Sequence, residues 1–321
     1  MSSDAIPKIS VILPTYNRAA LLARALRSAL SQTYGAFEVR VVDDGSSDGT
    51  QSMVAALDDP RICYLRIDHA GPAAARNHGI RAAQGEWIAF LDSDDEWKPE
   101  KLQRQMEAVA GLPSGVGVVY TGAEYIDDDT GSVSALRRPP GGPVMRVFEQ
   151  LLETNWFPFV SVVARRRCFD VVGLLDETLT SGEDREWLLR AARRFDFFGL
   201  AEPLVRVHVH RGQRQSEDLE ARIAFAEAIL HRYAVDLERR PRVRARKNVS
   251  LGQLRLRAGD MAGARRAFVD AMRVRPTFVP AYVHFVSSWG PWSAWHAVSR
   301  WRRHRQERRA LSRIGGQRSV S

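Results

Sequence analysis

Trp87-Ile88-Ala89-Phe90-Leu91-Asp92-Ser93-Asp94-Asp95 is an apolar run that stops in three carboxylates within four residues. Its first five residues have the continuous hydrophobicity of a buried strand. Continued as a strand, the chain would send Asp92 and Asp94 to one side, about 7 Å apart, and Asp95 to the other. Like charges held that way raise each other's pKa unless something positive stands between them. A divalent cation bridging to phosphate oxygens is one resolution, since hard cations take oxygen ligands from one or two carboxylates plus substrate phosphates. A solvated acidic turn capping a helix that starts near Pro99 is the other.

The flanking sequence places this run in a sheet. Ile9-Ser10-Val11-Ile12-Leu13 reads as a buried strand stopped by Pro14, and residues 19–32 carry Leu22, Leu26 and Leu30 at helical spacing. A strand at Val39–Val42 ends in Asp43-Asp44-Gly45-Ser46-Ser47-Asp48. A second helix, a short strand near Ile62–Leu65 and a helix around residues 72–83 follow before Trp87. Strands alternating with helices predict a parallel α/β sheet with right-handed crossovers. Ligands of such sheets bind outside the carboxyl ends of the strands. Polar groups gather at three such ends: Pro14-Thr15-Tyr16-Asn17-Arg18, Asp43-Asp44 and Asp92–Asp95. No GxGxxG follows the first strand and no GxxxxGK[ST] occurs, which weighs against a dinucleotide fold and a P-loop NTPase. Tyr16 can stack on a base and Arg18 can approach a phosphate, although Tyr16 alone reads equally as a core-rim aromatic.

The 321 residues, 45% of them hydrophobic, suffice for one large domain and an appendage. Cys63 and Cys168 stand far apart without a CxxC or Cys/His cluster, which suits a reducing cytoplasm and argues against structural zinc. Met1 to Lys8 has no apolar stretch of signal-peptide length. Charge is unevenly spread: residues 201–321 hold 25 basic against 10 acidic side chains, and the remainder holds 22 against 28. A basic end on an acidic body suits an anionic partner such as a membrane surface, nucleic acid or another polyanion, or is simply an arginine-rich solvated surface.

Taken together, several segments resemble the family 2 nucleotide-sugar glycosyltransferases, of GT-A fold. They are Ser10–Arg18, Val41-Val42-Asp43-Asp44-Gly45-Ser46-Ser47-Asp48-Gly49-Thr50, Ala75-Arg76-Asn77-His78-Gly79-Ile80, Gly85-Glu86-Trp87 with Asp92–Asp95, Gly173-Leu174-Leu175-Asp176 and Gly182-Glu183-Asp184. The resemblance spans roughly residues 8–216. It implies a Rossmann-like, mostly parallel sheet flanked by helices as a catalytic domain over residues 1–216, with an α-helical extension over residues 217–321.

The same resemblance implies roles. Pro14, Thr15, Tyr16 and Asp44 would hold the donor base, a carboxylate suiting a uracil or thymine N3–H because it only accepts. Arg18, Asp43, Arg76 and Ser93 complete the donor site, with Arg76 near base or diphosphate. Asp92 and Asp94 form the family's DxD, one meeting the ribose and Asp94 ligating Mn²⁺ or Mg²⁺ that bridges the diphosphate. Asp184 would be the catalytic base of an inverting displacement, with Glu183 as fallback; outside the resemblance, both acids read as ordinary helix N-terminal residues. A histidine after a closing strand would add to the metal shell. His210 fits the spacing to Gln213 and Ser216, and His208 fits the preceding Val-Arg-Val, and alternation puts both on one face. His69 and His78 read as structural.

Asn155-Trp156-Phe157-Pro158-Phe159 falls where the family builds its acceptor wall, although Phe157 and Phe159 also read as core. Lacking a QxxRW motif and a transmembrane helix, the chain looks like a single-addition transferase rather than a processive synthase. A UDP- or dTDP-sugar donor and a glycan or lipid-linked acceptor are expected, in surface polysaccharide or glycolipid synthesis, and no nucleic acid. A sugar nucleotidyltransferase or a non-catalytic nucleotide-sugar-binding assembly subunit are the rival readings.

In the last third, residues 217–235 read as a helix, and Leu251 to Pro276 as a helix-turn-helix resembling one tetratricopeptide-like unit. Residues 276–299 carry no charge but include Phe285, Trp289, Trp292 and Trp295, and Trp301-Arg302-Arg303-His304-Arg305 follows. Pro280, Gly290 and Pro291 argue against a spanning helix. This Trp-rich basic tail reads either as an interfacial segment on anionic lipid, which would place the protein in the cytoplasm against the inner face of the plasma membrane, or as a helix packed on the catalytic domain.

Overall fold

The computed structural model describes residues 8–139, 147–209 and 218–289. The chain divides into two compact units, Met1–Gln215 and Ser216–Ser321.

In the first unit, β1 (Ile9–Thr15), α1 (Ala19–Leu30), β2 (Phe37–Asp43), α2 (Thr50–Ala55), β3 (Ile62–Arg66), α3 (Pro72–Ala82) and β4 (Trp87–Phe90) alternate as the hydrophobic pattern predicts. Then come β5 (Glu96–Trp97), α4 (Lys101–Ala110), β6 (Val116–Asp127), β7 (Ser132–Arg137), α5 (Phe148–Glu153), β8 (Val163–Arg165), α6 (Arg166–Val172), α7 (Glu183–Ala192) and β9 (Asp196–Val209). Among the described residues the strands form one nine-stranded sheet in the order β3-β2-β1-β4-β8-β6-β9-β5, with β7 on β6. The β3-β2-β1-β4 half is parallel throughout. Beyond β4 the sheet is mixed: β8 runs antiparallel to β4 and β6, β9 is parallel to β6, and β5 is antiparallel to β9.

Within the parallel half, the edge strand β3 is only half-buried, whereas Ile9, Val11, Ile12, Leu13, Val39, Val41 and Val42 of β1 and β2 are fully buried, as largely apolar strands covered on both faces require. α3 lies close on β1 and β2 through Gly79, where a Cβ would stand 2.7 Å from Ile12 Cγ2. That approach carries Arg76 and Asn77, one turn earlier, to the carboxyl edge of the sheet.

The carboxylate run departs from strand geometry. β4 ends at Phe90, and the Asp95 amide donates to the Asp92 carbonyl at 3.1 Å, closing a turn. The short β5 that follows pairs with β9, through Glu96 opposite Arg206 and Trp97 opposite Val205. Asp92 and Asp94 are therefore separated by a turn rather than aligned along one strand face.

The second unit contains α8 (Leu219–Arg232), α9 (Ala234–Glu238), α10 (Pro241–Arg257), α11 (Met261–Val274) and α12 (Val279–Ser287). Asp218 caps α8 by accepting from the amides of Glu220 and Ala221, and Asp260 caps α11 by accepting from Gly263. Ala245, Val249, Leu256, Ala264, Phe268, Ala271 and Ala281 form its core. The hairpin expected from Leu251 to Pro276 is α10–α11, but α10 begins ten residues earlier, at Pro241, and α12 packs against it. Gly252 is required there: a Cβ would meet the Phe268 ring at 2.4 Å. Among the described residues no helix is long and apolar enough to cross a membrane.

Candidate functional site

The carboxyl ends of β1, β2, β3 and β4 converge, and each contributes a loop. After β1, Asn17 sits at φ 50°, a left-handed conformation that asparagine tolerates better than most residues. It ties two loops together: its amide donates to Ser46 Oγ at 2.9 Å, and its Oδ1 accepts from the Ser47 amide at 2.8 Å.

The acids after β2 are fixed largely by the backbone. Asp43 is fully buried; it accepts from the Ser46 amide at 2.8 Å and from the Tyr64 hydroxyl, with Arg66 at 3.9 Å. Burial first, then the Asp43 carboxylate, push the Tyr64 phenol up to about 12. Asp44 accepts from the amides of Ala70 and Gly71 at 2.8 and 2.9 Å, and His69 Nδ1 lies 2.9 Å from its Oδ2. The His69 ring stacks on the half-exposed Tyr16 ring with centroids 4.1 Å apart. His69, read from sequence as structural, thus stands within the candidate donor loops. His78 is exposed on α3.

The acids after β4 are met by arginines. Arg18 Nη1 donates to Asp94 Oδ2 at 3.0 Å, and Arg24 Nη2 donates to the Asp94 carbonyl at 2.6 Å. Arg76, buried, donates through Nη2 to Asp92 Oδ1 at 2.7 Å and through Nη1 to Glu183 Oε1 at 2.5 Å. Burial alone would depress the Arg76 guanidinium, but Asp92, Glu183 and Asp184 together hold it above its ordinary value. Ser93 is buried between the two acids.

Glu183 and Asp184 open α7, which Gly182 enters at φ 79°. Asp184 Oδ1 accepts from the Arg185 amide at 2.6 Å. Burial raises both carboxyls; Arg76 opposes the shift in each, and Asp92 adds to it. The position of this pair is set from α3. Asn77 Nδ2 donates to the Leu175 carbonyl and its Oδ1 accepts from the Leu175 amide, both at 2.9 Å, as a neighbouring strand would. Arg190 reaches the Leu174 carbonyl at 2.7 Å, and the Trp187 ring, stacked on Phe169, donates to the Gly173 carbonyl at 3.0 Å. The adjacent residues Arg76 and Asn77 therefore hold the start of α7 and the Gly173–Asp176 loop against the sheet edge. The positioning role of Asn77 is carried by no periodicity; only its place beside Arg76 hints at it.

The closing strand β9 brings His208 to β5. Its Nε2 lies 2.6 Å from Glu96 Oε2 and its Nδ1 2.5 Å from Asp128 Oδ1, while its amide donates to Asp95 Oδ1 at 3.0 Å. Both ring nitrogens face carboxylates. His210 lies outside the described residues, as do Gln213 and the Trp-rich basic tail beyond Trp289. Among the described residues no group of three or more His, Cys, Asp or Glu side chains is arranged to hold a metal.

On the far side of the sheet edge, Phe157 stacks on Tyr120 at 3.9 Å, and Phe159 stacks on Phe90 at 4.2 Å with Arg76 above its ring. Phe157 and Phe159 are core residues, whereas Asn155 and Trp156 are half-buried. Among the described residues, buried polar atoms without a partner include Thr15 Oγ1, Arg24 Nε, Arg76 Nε and Asn155 Oδ1 here, and Arg40 Nε, Trp87 Nε1 and Glu202 Oε2 elsewhere, while the Trp156 indole and the Tyr120 hydroxyl face each other. Buried atoms ordinarily find partners, so those at this edge suit a polar ligand.

Comparison with known proteins follows this geometry. The family model described as Glycosyl transferase family 2 matches residues 10–169. The succinoglycan biosynthesis protein ExoO of Rhizobium meliloti (strain 1021) is 34% identical over 248 residues, 73% of this chain and 71% of that protein. Among solved structures, S. aureus TarS 1-349 in complex with UDP-GlcNAc matches with a TM-score of 0.63 at 20% identity, over 88% of this chain and 89% of that one. The mannosyltransferase PcManGT from Pyrobaculum calidifontis, in complex with GDP-Man and Mn²⁺, matches with a TM-score of 0.53 at 21% identity, over 91% of this chain and 84% of that one. At these identities the structural likenesses speak for the fold.

Proposed function

The chain belongs to glycosyl transferase family 2 and is a glycosyltransferase of GT-A fold, and within that class we propose that it moves one sugar, with inversion, from a nucleoside-diphosphate sugar to an acceptor hydroxyl. The observation that carries this reading is Arg76. One buried guanidinium joins Asp92, at the end of β4, to Glu183, at the start of α7, and so holds the donor-side acids and the Glu183–Asp184 pair in one frame.

Tyr16, with His69 behind it, offers a stacking face for the base, and the Pro14–Thr15 end of β1 and Asp44 border the same place. Asp43 supports that loop from below. Arg18 and Arg76 supply positive charge toward a diphosphate. UDP-GlcNAc and GDP-Man in the complexes of TarS and PcManGT support a nucleotide-sugar donor for this chain as well.

Asp92 and Asp94 fit a hard divalent cation, Mn²⁺ or Mg²⁺. They present only carboxylate oxygens, and a cation completed by substrate phosphates needs one or two protein carboxylates rather than a trio. When bound there, the cation supplies charge neutralisation to the departing diphosphate. Of the two histidines considered for this shell, the contacts of His208 with Glu96 and Asp128 favour His210.

Asp184 then takes the proton from the acceptor hydroxyl while that oxygen bonds to the anomeric carbon. The bond to the diphosphate breaks, and its electron pair leaves with the nucleoside diphosphate. A raised pKa suits this work, because a base must be ionised yet hold a proton well. Glu183, paired with Arg76, is less available and remains the fallback. Asn155, whose buried Oδ1 lacks a partner among the described residues, suits recognition of an acceptor sugar hydroxyl, with the half-buried Trp156 ring beside it. The likeness to ExoO supports a role in polysaccharide biosynthesis, and the free cysteines Cys63 and Cys168 fit a reducing compartment.

Calorimetric titration of UDP-, dTDP- and GDP-sugars, with Mn²⁺ and again with EDTA, tests the reading. Metal-dependent binding of one donor class is expected, followed by transfer once an acceptor is supplied. Binding without hydrolysis or transfer to any acceptor supports a non-catalytic subunit, and release of pyrophosphate from a nucleoside triphosphate with a sugar phosphate supports a nucleotidyltransferase.

A further inference from the structure

α12 is the helix with the least orthodox surface in the second unit. Residues 276–299, which contain it, carry no charged side chain. One face is accounted for: Ala281 and His284 are buried, and Phe278 and Phe285 pack on the core of α10 and α11. The opposite face is apolar as well. Val279, Tyr282, Val283, Val286 and Trp289 follow one another at helical spacing, and each is between 40% and 69% exposed. Single exposed apolar residues are ordinary, but a contiguous row marks an interaction surface.

We propose that this face of α12 docks on an anionic lipid bilayer, lying in the interface without crossing it. Three observations choose this occupant. The uncharged stretch sits between strongly basic ones: residues 239–275 hold 12 Arg and Lys against 2 acidic residues, and residues 300–321 hold 8 against 1. Basic sequence on both sides of an apolar helix is the composition that anionic headgroups over an acyl layer complement. Next, Trp289 stands at the end of the row with the Arg265 guanidinium 3.7 Å above its ring, and Arg265 Nη2 donates to the Ser288 carbonyl at 2.9 Å. An indole held beside a cation at the margin of an apolar face is suited to the headgroup boundary, where amphipathic rings settle. Finally, the helix has nine residues, far fewer than the ~20 a spanning helix needs.

The same observations disfavour other occupants. A second copy of this chain would bring two surfaces of like charge together. A nucleic acid would answer the arginines but leave Val279, Val283 and Val286 in water. The inference is independent of the donor chemistry, since none of these residues belongs to the first unit.

Flotation of the full chain with vesicles tests it, using equal parts phosphatidylglycerol and phosphatidylcholine against phosphatidylcholine alone. The chain should float with the anionic vesicles, and Val283→Asp/Val286→Asp should weaken that binding by about tenfold or more, since burial of each apolar group contributes to interfacial affinity. Donor binding should be unchanged in this variant. If the aspartates disturb folding, as judged by circular dichroism, Val283→Ser/Val286→Ser must show the loss instead. Equal flotation of wild type and a folded double variant overturns the proposal, as does failure of the wild type to float. Sedimentation showing a lipid-free dimer that the double variant dissolves overturns it in favour of a second copy.

Discussion

Two groups of acids line the same sheet edge and are held in opposite ways. Asp43 and Asp44, after β2, are fixed mainly by neutral donors: the amides of Ser46, Ala70 and Gly71 and the Tyr64 hydroxyl. Asp92, Asp94 and Glu183, after β4 and at the start of α7, are held by the guanidinium groups of Arg76 and Arg18. Their amide donors sit on the backbone of the loops after β2 and β3, so the first group is pre-set in a way that suits the recognition proposed for it. Arginine side chains can re-aim, so the second group can exchange partners when phosphates and a cation arrive. On the function proposed here, the contrast separates a part of the site that recognises from a part that reacts, and substitutions on each side should then fail differently.

The largest effect is expected at the reacting end. Asp184→Asn keeps the oxygen that accepts from the Arg185 amide but removes the proposed base, and should lower the rate of transfer by about 10²–10⁴-fold with donor affinity unchanged. Steady-state kinetics with a defined acceptor, beside donor calorimetry, reads both. If Glu183→Gln abolishes transfer while Asp184→Asn retains it, the base is Glu183.

The same substitution carries a stability signature with a fixed sign. Burial, the largest cause, raises the Asp184 and Glu183 carboxyls in the folded chain. A carboxyl whose folded pKa exceeds its unfolded value binds the proton more tightly when folded. Its stabilising contribution is complete below the unfolded value, about 3.9 for Asp, and is lost as pH rises through the folded value. Asp184→Asn should therefore melt higher than wild type at pH 8, with the gap closing near about pH 4. Wild-type transfer should move the other way, rising with pH as the base ionises, on a limb above the ordinary carboxylate range. Thermal melts and a pH–rate profile on one preparation test both directions, and an acid limb at the usual Asp value would show that the essential carboxyl is not the raised, buried one.

How much of this contrast could be read from sequence depends on the distance over which each contact acts. β1, β2 and β4 and their polar ends follow from local apolar runs, so Thr15–Arg18, Asp43–Asp44 and Asp92–Asp94 were legible as one edge. The turn at Asp92–Asp95 stood only as the alternative to strand continuation, because what decides between them is the pairing of β5 with β9, across more than a hundred residues. The same long-range pairing brings His208 to Glu96 and Asp128, a contact that alternation along β9 could not disclose. His69 was legible only as a lone histidine. Its stacking on Tyr16 depends on how the loops after β1 and β3 meet, which no spacing encodes.

Removing the arginine that links the reacting acids should cost stability as well as activity. Arg76→Met leaves Glu183 and Asp92 without their partner in a buried setting, and breaking a buried pair in that way costs about 3–5 kcal/mol. Urea denaturation reads the loss. The double variant Arg76→Met/Glu183→Gln should recover part of it, because no unpaired charge then remains on the α7 side. Recovery of stability would show the unpaired Glu183 charge to be the main cost of losing Arg76; no recovery would mean that Asp92, not Glu183, is the partner that matters.

The smallest effect is expected on the recognition side, where the acids are pre-set and the ligand contributes little to their order. Tyr16 is half-exposed, bears no hydrogen bond to the loops it faces among the described residues, and rests only on His69. Replacing it should leave folding intact and touch donor affinity alone. Aromatic stacking is worth about 0.5–1.5 kcal/mol beyond area, so Tyr16→Ala should weaken donor binding by up to about tenfold, and Tyr16→Phe hardly at all. His69→Ala should weaken binding less than Tyr16→Ala, since its ring supports the stack from behind rather than meeting the base. With Tyr16→Ala, the maximal rate at saturating donor should stay at the wild-type value, because a base held less tightly is still presented to the same reacting acids. A fall in maximal rate with unchanged donor affinity would dissolve the division between recognising and reacting loops, and would place Tyr16 with Asp184 instead of with Asp44.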